Sequence, residues 1–400
     1  MNFSDKLNLC APKPARTQSP KPLGVIIKEM EELNKKVPLK EYPWHDDAVR
    51  IIKWTKSKPP EYRAFIFDIC MSLAFIDSTS GIEKYVETCP SCPESYNAHL
   101  GFINLCSPCY EKNETWTYQK AAKPQSGALG KLSSEMILEF IEILFDDFKG
   151  VFAIGGTEVA DALIEHKNGF VILAEVKSAP LITFPLLFQI PKTTNLAHSK
   201  ISLTSSQFRE LNSAIYLHDK SYIHLGKVKS ENWPFKPFAD HLEDKTNLKE
   251  LESSFKIWQK TKVAYAEKDR TSKFYYLANA SGAPPNVAKE KDGWPQGESI
   301  SDSKTSAGMD RTDDIKKGIY QVLKIGTKYK HQNVKTAIIS NLPALRHGEV
   351  YVDPFKGMLW GNEGDLVSDK SLTYLKREDL RYVFDYIINL TDSIQGGKEI

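Results

Sequence analysis

Four cysteines stand in two pairs: Cys89-Pro-Ser-Cys92 and, after thirteen intervening residues, Cys106-Ser-Pro-Cys109. A Cys-x-x-Cys turn presents two sulfurs along one edge of a coordination tetrahedron, with backbone N–H groups turned toward them. Two such turns joined by a short loop close a four-thiolate site, a donor set typical of structural zinc. Zinc held by Cys89, Cys92, Cys106 and Cys109 is the expectation; iron–sulfur ligation uses the same donors and is the alternative. Redox-active Cys-x-x-Cys normally comes singly on a strand–helix–strand unit, and none is visible here. His99 lies inside the loop, but four thiolates already complete the metal. Cys10 and Cys70 have no partners, and Cys70 falls in an apolar stripe that suits packing.

A second group is acidic and basic at once. Asp161-Ala-Leu-Ile-Glu165 and Phe170-Val-Ile-Leu-Ala-Glu-Val176 flank a His166-Lys-Asn-Gly169 turn, the pattern of a hairpin. Such a hairpin returns Asp161 to the side of Glu175. Glu175 and Lys177 differ by two, so both project from one face while Val176 turns into the core. Two carboxylates and an ammonium then converge. Asp161 and Glu175 could hold magnesium through oxygen ligands beside a phosphate. Lys177 could position or deprotonate a water and offset charge developing on phosphorus. That is chemistry for phosphodiester hydrolysis. Glu165-His-Lys167 and Glu243-Asp-Lys245 repeat the Glu-x-Lys spacing, and Asp147-Phe-Lys149 nearly does, but none follows a long apolar strand paired with an upstream aspartate.

The elements that must carry these groups are legible in outline. Ser133 to Phe148 reads as an amphipathic helix, with Ile137, Phe140, Ile141, Leu144, Phe145 and Phe148 on one face and Glu135, Glu139, Glu142 and Asp146 on the other. The stretch before it, with Pro124, Gly127 and Gly130, reads as a linker. From Leu23 to about Val86 the pattern reads as helical, with Phe65, Ile66, Ile69, Leu73 and Ala74 as a buried stripe. A second hairpin is expected from Ala214 to Leu225. Residues 281–308, rich in Gly, Pro, Ser, Asp and Lys, read as a long mobile loop. Asp313–Tyr329 reads as a helix with Thr312 as its cap, Val334–Ser340 as a strand, and Thr373–Leu390 as a closing helix.

Composition bounds the answer. At 400 residues the chain is long enough for two or three domains. Its 41% hydrophobic and 26% charged residues exclude a disordered chain. No apolar run is long enough for a membrane span, and the first twenty residues do not read as a secretory signal; a cytoplasmic location is expected. Six cysteines do not make a disulfide scaffold. The formal net charge of +2 does not by itself announce a nucleic-acid binder. The expected divisions are a flexible basic arm over 1–24, a helical region with the zinc module over 25–120, and the remainder over 121–400.

The helix followed by a hairpin carrying Asp161 and Glu175-Val-Lys177 resembles the PD-(D/E)xK nuclease superfamily, most closely its type II restriction endonucleases. Asp161 matches the motif aspartate, Glu175 the second acid and Lys177 the lysine. Ala160 stands where the nominal proline would be, a position that varies in the superfamily. The resemblance covers about 130–180 and, through Asp310–Lys324 and Val334–Ser340, a helix-then-strand return. It implies an α/β (α+β) fold: a restriction-endonuclease-like mixed sheet flanked by helices, here with a helical zinc-binding N-terminal region and a recognition insertion at about 180–308. It also implies a glutamate from the preceding helix, for which Glu135 is the candidate and Glu139 the second. The implied activity is Mg2+-dependent, site-specific hydrolysis of double-stranded DNA, leaving a 5′-phosphate and a 3′-hydroxyl. The implied partners are a second copy of the chain and a cognate DNA methyltransferase encoded nearby. A structure-selective or phage-defence nuclease, or a non-catalytic zinc-ribbon nucleic-acid-binding protein, are the competing functions.

Two softer signals remain. Phe255 to Tyr276 mixes Lys256, Lys260, Lys262, Lys268, Arg270 and Lys273 with Trp258, Tyr265, Phe274 and Tyr275. It suits either nucleic-acid contact or an amphipathic surface helix. Arg311, Lys316 and Lys317 would lie at a DNA-facing helix start if the resemblance holds. His198, His224, His241 and His347 show no ligand spacing.

Overall fold

The computed structural model describes residues 23–78, 85–92, 95–113, 116–121, 126–155, 160–191, 201–244, 248–291, 293–301, 306–329, 333–356, 359–361, 380–382, 384–392 and 395–396. The greater part of the basic arm, Cys10 and His198 lie outside them.

In chain order the helices are α1 (Leu23–Glu31), α2 (His45–Thr55), α3 (Pro60–Ser78), α4 (Ser107–Asn113), α5 (Ser126–Leu144), α6 (Ser205–Arg209), α7 (Phe235–Glu243), α8 (Lys249–Glu267), α9 (Asn286–Lys291), α10 (Thr312–Lys328) and α11 (Gly348–Tyr351). The strands are β1 (Lys35–Lys36), β2 (Tyr85–Thr88), β3 (Asn97–His99), β4 (Phe148–Ile154), β5 (Ala162–His166), β6 (Val171–Val176), β7 (Leu186–Phe188), β8 (Ile201–Thr204), β9 (Asn212–Tyr216), β10 (Tyr222–Lys227), β11 (Val334–Ile339), β12 (Leu359–Gly361), β13 (Leu380–Tyr382), β14 (Tyr386–Ile388) and β15 (Gln395–Gly396).

A mixed sheet of seven strands, in the order β1-β4-β5-β6-β11-β14-β15, is the frame of the molecule. From β4 to β6 the strands are antiparallel, and β11 then joins β6 in parallel. The return to parallel needs a crossover, and α10 immediately precedes β11. β6 and β11 are covered on both faces, so Val171–Val176 and Val334–Ile339 are buried almost throughout rather than at alternate residues. A second sheet, β10-β9-β7-β3, pairs strands from either side of the β5–β6 hairpin in the chain. The largest hydrophobic core runs from Leu39 to Leu390 and includes α3, α5, α8 and both sheets, so apolar packing crosses the divisions suggested by composition.

Several elements differ from the sequence reading. α5 begins at Ser126, so Gly127 and Gly130 are helical rather than linker, and it ends at Leu144. Phe148 opens β4 instead of continuing the helix. Its spacing suits both, and pairing with His166 on β5 decides for the strand. The acidic face of α5 is not solvated: Glu135 and Glu139 are buried, and α2 lies against it with His45 Nε2 3.4 Å from Glu139 Oε1. α10 begins at Thr312, which makes Arg311 the N-cap residue, without a side-chain cap. The expected helix Thr373–Leu390 contains strands β13 and β14 in its described part, because Ile387 and Ile388 pair in parallel with β11. The described part of 281–308 is packed. Ala288, Trp294 and Ile300 are buried with Leu105, Tyr110 and Tyr276, and Ile300 O accepts from Asn104 N at 2.6 Å. Small polar residues made this segment look open, but three apolar anchors hold it down.

Candidate active site and metal centre

The β5–β6 hairpin places Asp161, Glu175 and Lys177 together. Register pairs Ala162 with Ala174, and Asp161, one residue before β5, donates its N–H to Ala174 O at 3.0 Å. The hairpin turns at Gly169, whose φ of +81° is a left-handed conformation that suits glycine. Asp161 Oδ2 accepts from Val176 N at 2.9 Å, which fixes its carboxylate against the end of β6. Lys177 Nζ lies 2.5 Å from Glu175 Oε1 and 3.9 Å from Asp161 Oδ2. Glu175 and Lys177 therefore share a face, while Val176 is buried in the core.

The surroundings grade from dry to wet. The side chain of Glu175 is 9% exposed and that of Asp161 is 44% exposed. Burial holds the Glu175 carboxyl above the usual carboxylate range, the neighbouring Asp161 carboxylate pushes the same way, and Lys177 opposes both. Two carboxylates forced together are a place where positive charge is stabilised. Lys177 supplies part of it, and the same oxygen donors suit a hard divalent cation.

Residues that the sequence reading did not single out brace this end of the sheet. Lys177 N donates to Ile339 O at 2.8 Å, tying the lysine to β11. Asn341 clasps the next turn, accepting from Ala179 N at 3.1 Å and donating to Ala179 O at 2.9 Å. Ser133 on α5 donates to Ser178 O at 2.9 Å. α10 presses on the same strands: a Cβ at Gly318 would meet Ile338 Cδ1 at 2.7 Å and Lys177 Cγ at 4.0 Å, so a larger residue there would have to push the end of the Ile338 side chain aside. Lys316 and Lys317 immediately precede this glycine. Asp68, fully buried on α3, accepts from Leu181 N at 3.1 Å, Ile182 N at 3.0 Å and Trp258 Nε1 at 2.8 Å. It anchors the segment that leaves the lysine. A lone aspartate in an apolar stripe carries no sequence signal for that role.

Glu135, the helix glutamate that the resemblance implies, is buried on α5. It pairs with Lys131 at 3.7 Å, and the charges acting on it are Lys131, Glu41 and Lys36. Burial raises its pKa. Glu139, beside His45, is pushed up to about 8, by burial first and by Glu142 second. Among the described contacts, none joins either glutamate to Asp161, Glu175 or Lys177. The decoys also separate: Glu165 lies 3.8 Å from Lys35, and Glu243 forms a 2.7 Å ion pair with Arg50.

The cysteines gather as their spacing implies. All four Sγ atoms lie within 4.8 Å of one another, with Cys89 and Cys109 4.0 Å apart and Cys92 and Cys106 3.5 Å apart. The edge of a zinc–thiolate tetrahedron with bonds of about 2.3 Å is roughly 3.8 Å. Cys89 follows β2, and Cys109 sits on α4, which Cys106 immediately precedes. Ala98 N donates to Cys92 Sγ at 3.3 Å, and Asn97 Nδ2 holds Cys89 O at 2.8 Å. Cys89, Cys106 and Cys109 are buried and Cys92 is partly so. The cluster could hold a metal ion, and its four soft donors suit structural zinc. His99 packs between Phe75 and Phe188, away from any ligand role that the geometry shows. Cys70 is buried in the main core.

No described helix is long and apolar enough to cross a membrane. Comparison with known family models, curated proteins and solved structures gives no match.

Proposed function

We propose that the chain is a metal-dependent endonuclease of double-stranded DNA, of the restriction type, with a structural zinc beside its catalytic core. The observation that carries this reading is the convergence of Asp161, Glu175 and Lys177 at one end of a hairpin. The order of elements supports it: α5, then β4, β5 and β6, then α10 and β11, is the helix, hairpin and helix-then-strand return that the nuclease resemblance implies.

The donors fit Mg2+: two carboxylates, one of them open to solvent. Asp161 and Glu175 would hold the ion, which when bound would polarise a phosphate oxygen and acidify a water. Lys177 does the rest from its own position. Its ammonium orients the attacking water and offsets charge building on the phosphate oxygens. The ion pair with Glu175 keeps it aimed there before DNA arrives. Water attack on phosphorus breaks the bond to the 3′ oxygen and leaves the 5′-phosphate and 3′-hydroxyl. Cutting both strands in a symmetric way calls for two copies of the chain.

The test is supercoiled, unmethylated plasmid incubated with protein and MgCl2. Discrete fragments support the restriction reading. General degradation supports a nuclease of other specificity. Intact plasmid across many sequence contexts would overturn the enzyme and leave a zinc-bearing nucleic-acid-binding protein.

A further inference from the structure

A cavity of about 640 Å3 opens between α4, the β9–β10 turn, α8 and the short 3-10 turn Lys273–Leu277. None of Asp161, Glu175 and Lys177 lines it. Its charged wall is Lys220, Lys256, Lys260 and Lys273, and its aromatic wall includes Trp116 and Phe274. Among the described residues, none of the four lysines forms an ion pair. Lys260 and Lys273 instead sit over the Phe274 ring, at 5.2 and 5.7 Å from its centroid. This is unlike Lys262 on the same helix, whose ammonium is taken up by Glu61.

Two acids also reach the cavity, and both are engaged by the protein. Glu111 accepts from Tyr216 OH at 2.9 Å and contacts His218 Nδ1. Asp219 accepts from Ser253 Oγ. Neither acid pairs with a lysine of the cavity, and four ammonium groups against two carboxylates leave its lining net positive. A concave surface concentrates such a field.

The walls are built firmly. The Trp116 ring lies 4.7 Å from both Tyr110 and Tyr276. The turn that presents Lys220 contains three successive left-handed residues, His218, Asp219 and Lys220, with φ of 64°, 56° and 59°. Non-glycine residues rarely adopt that region, and a run of three costs energy that the surrounding packing must hold. A volume of this size accommodates a small organic ligand. Anion-seeking lysines facing rigid aromatic rings match a phosphate joined to a flat base.

We propose that this cavity is a nucleotide-binding site, taking a base against the aromatic wall and its phosphate against the four lysines. The ligand is either a free mononucleotide or one nucleotide of a single strand. A shallower groove along α8 shares Lys256, Lys260 and Phe274 with the cavity, so a strand has room to continue. The site stands apart from the nuclease reading, since its binding needs neither magnesium nor cleavage.

The test is fluorescence anisotropy of the full-length zinc-loaded protein without added magnesium. The probes are labelled adenosine 5′-monophosphate and a labelled oligothymidylate of about ten residues. Saturable binding of at least one is expected. Competition should follow adenosine monophosphate over both adenosine and inorganic phosphate, because both walls contribute. Lys256→Glu with Lys260→Glu should weaken binding by about tenfold or more, and Lys220→Glu, on the β9–β10 turn, should do the same on an unaltered α8. All of these lysines are exposed, so melting temperature should hold. Much tighter binding of the oligonucleotide identifies a strand as the ligand; equal binding identifies the free nucleotide. Failure of both probes, phosphate competing as well as the nucleotide, or no loss in either lysine variant overturns the proposal. Plasmid cleavage reports on the nuclease reading separately.

Discussion

The cysteine cluster and the β5–β6 hairpin both gather metal-seeking side chains, but they leave them in opposite conditions. The cysteines form a closed set: four soft donors within 4.8 Å, largely buried, and pinned by Asn97 and Ala98. The hairpin forms an open one: two hard donors, one of them 44% exposed, with a lysine ion-paired to the buried one. A closed shell can only brace the fold, whereas an open shell leaves room for water and a phosphate. The contrast implies that breaking the first should cost stability and breaking the second should cost activity.

The largest effect is expected from Cys106→Ser. A structural zinc contributes on the order of 10 kcal/mol to the folding of a small module, and a lost thiolate removes much of that. The variant should purify with less than one zinc per chain and melt well below the parent. Elemental analysis finding no zinc in the parent protein would end the comparison at its first term, and finding iron would change the metal.

Next come Asp161→Ala and Glu175→Ala. Plasmid cleavage should fall by at least about a thousandfold, roughly 4 kcal/mol of barrier. Melting temperature should hold for Glu175→Ala, since a carboxylate that burial disfavours is removed. DNA binding measured in Ca2+ should survive in both. Full cleavage by Glu175→Ala would show that the open site lies elsewhere.

A third effect tests the frame beneath the open site. Burial pushes Asp68 up to about 8, against the three hydrogen bonds that favour its charge. A raised carboxyl stabilises the fold most below the ordinary carboxylate range, and that contribution is lost as pH rises through about 8. Asp68→Asn cannot titrate. Its melting temperature should therefore gain on the parent between about pH 5 and pH 9. Asp68→Ala strands the donors of Leu181, Ile182 and Trp258 and should cost about 2–3 kcal/mol in chemical denaturation near pH 5, a deficit that narrows toward pH 9 because alanine cannot titrate either.

The smallest effect is expected at the repeated Glu-x-Lys motifs. Lys167→Ala and Lys245→Ala should leave cleavage within about tenfold, or 1.4 kcal/mol. A larger loss at either would remove the distinction between the hairpin end and its look-alikes.

Local information was enough wherever spacing and chemistry spoke together. Two Cys-x-x-Cys turns can hardly avoid presenting four thiols at close range, and a hairpin with period-two alternation returns Asp161 to Glu175 while keeping Glu175 and Lys177 on one face. Both groupings follow from short-range geometry, so the chain alone determined them. Long-range packing decided the rest. Phe148 and the segment around Ile387 carry apolar patterns that suit helix or strand, and only partner strands chose between them. The acids of α5 read as a solvated face because nothing local reveals that α2 lies across it. The segment after Gly282 read as open because its few buried anchors are spaced irregularly. Asp68 and Asn341 read as nothing at all, since the backbone groups that they satisfy lie more than a hundred residues away. The lysine-lined cavity belongs to the same class: its walls come from four separate stretches of chain, and only the tertiary structure turns a basic, aromatic sequence into a concave surface with its acids already engaged.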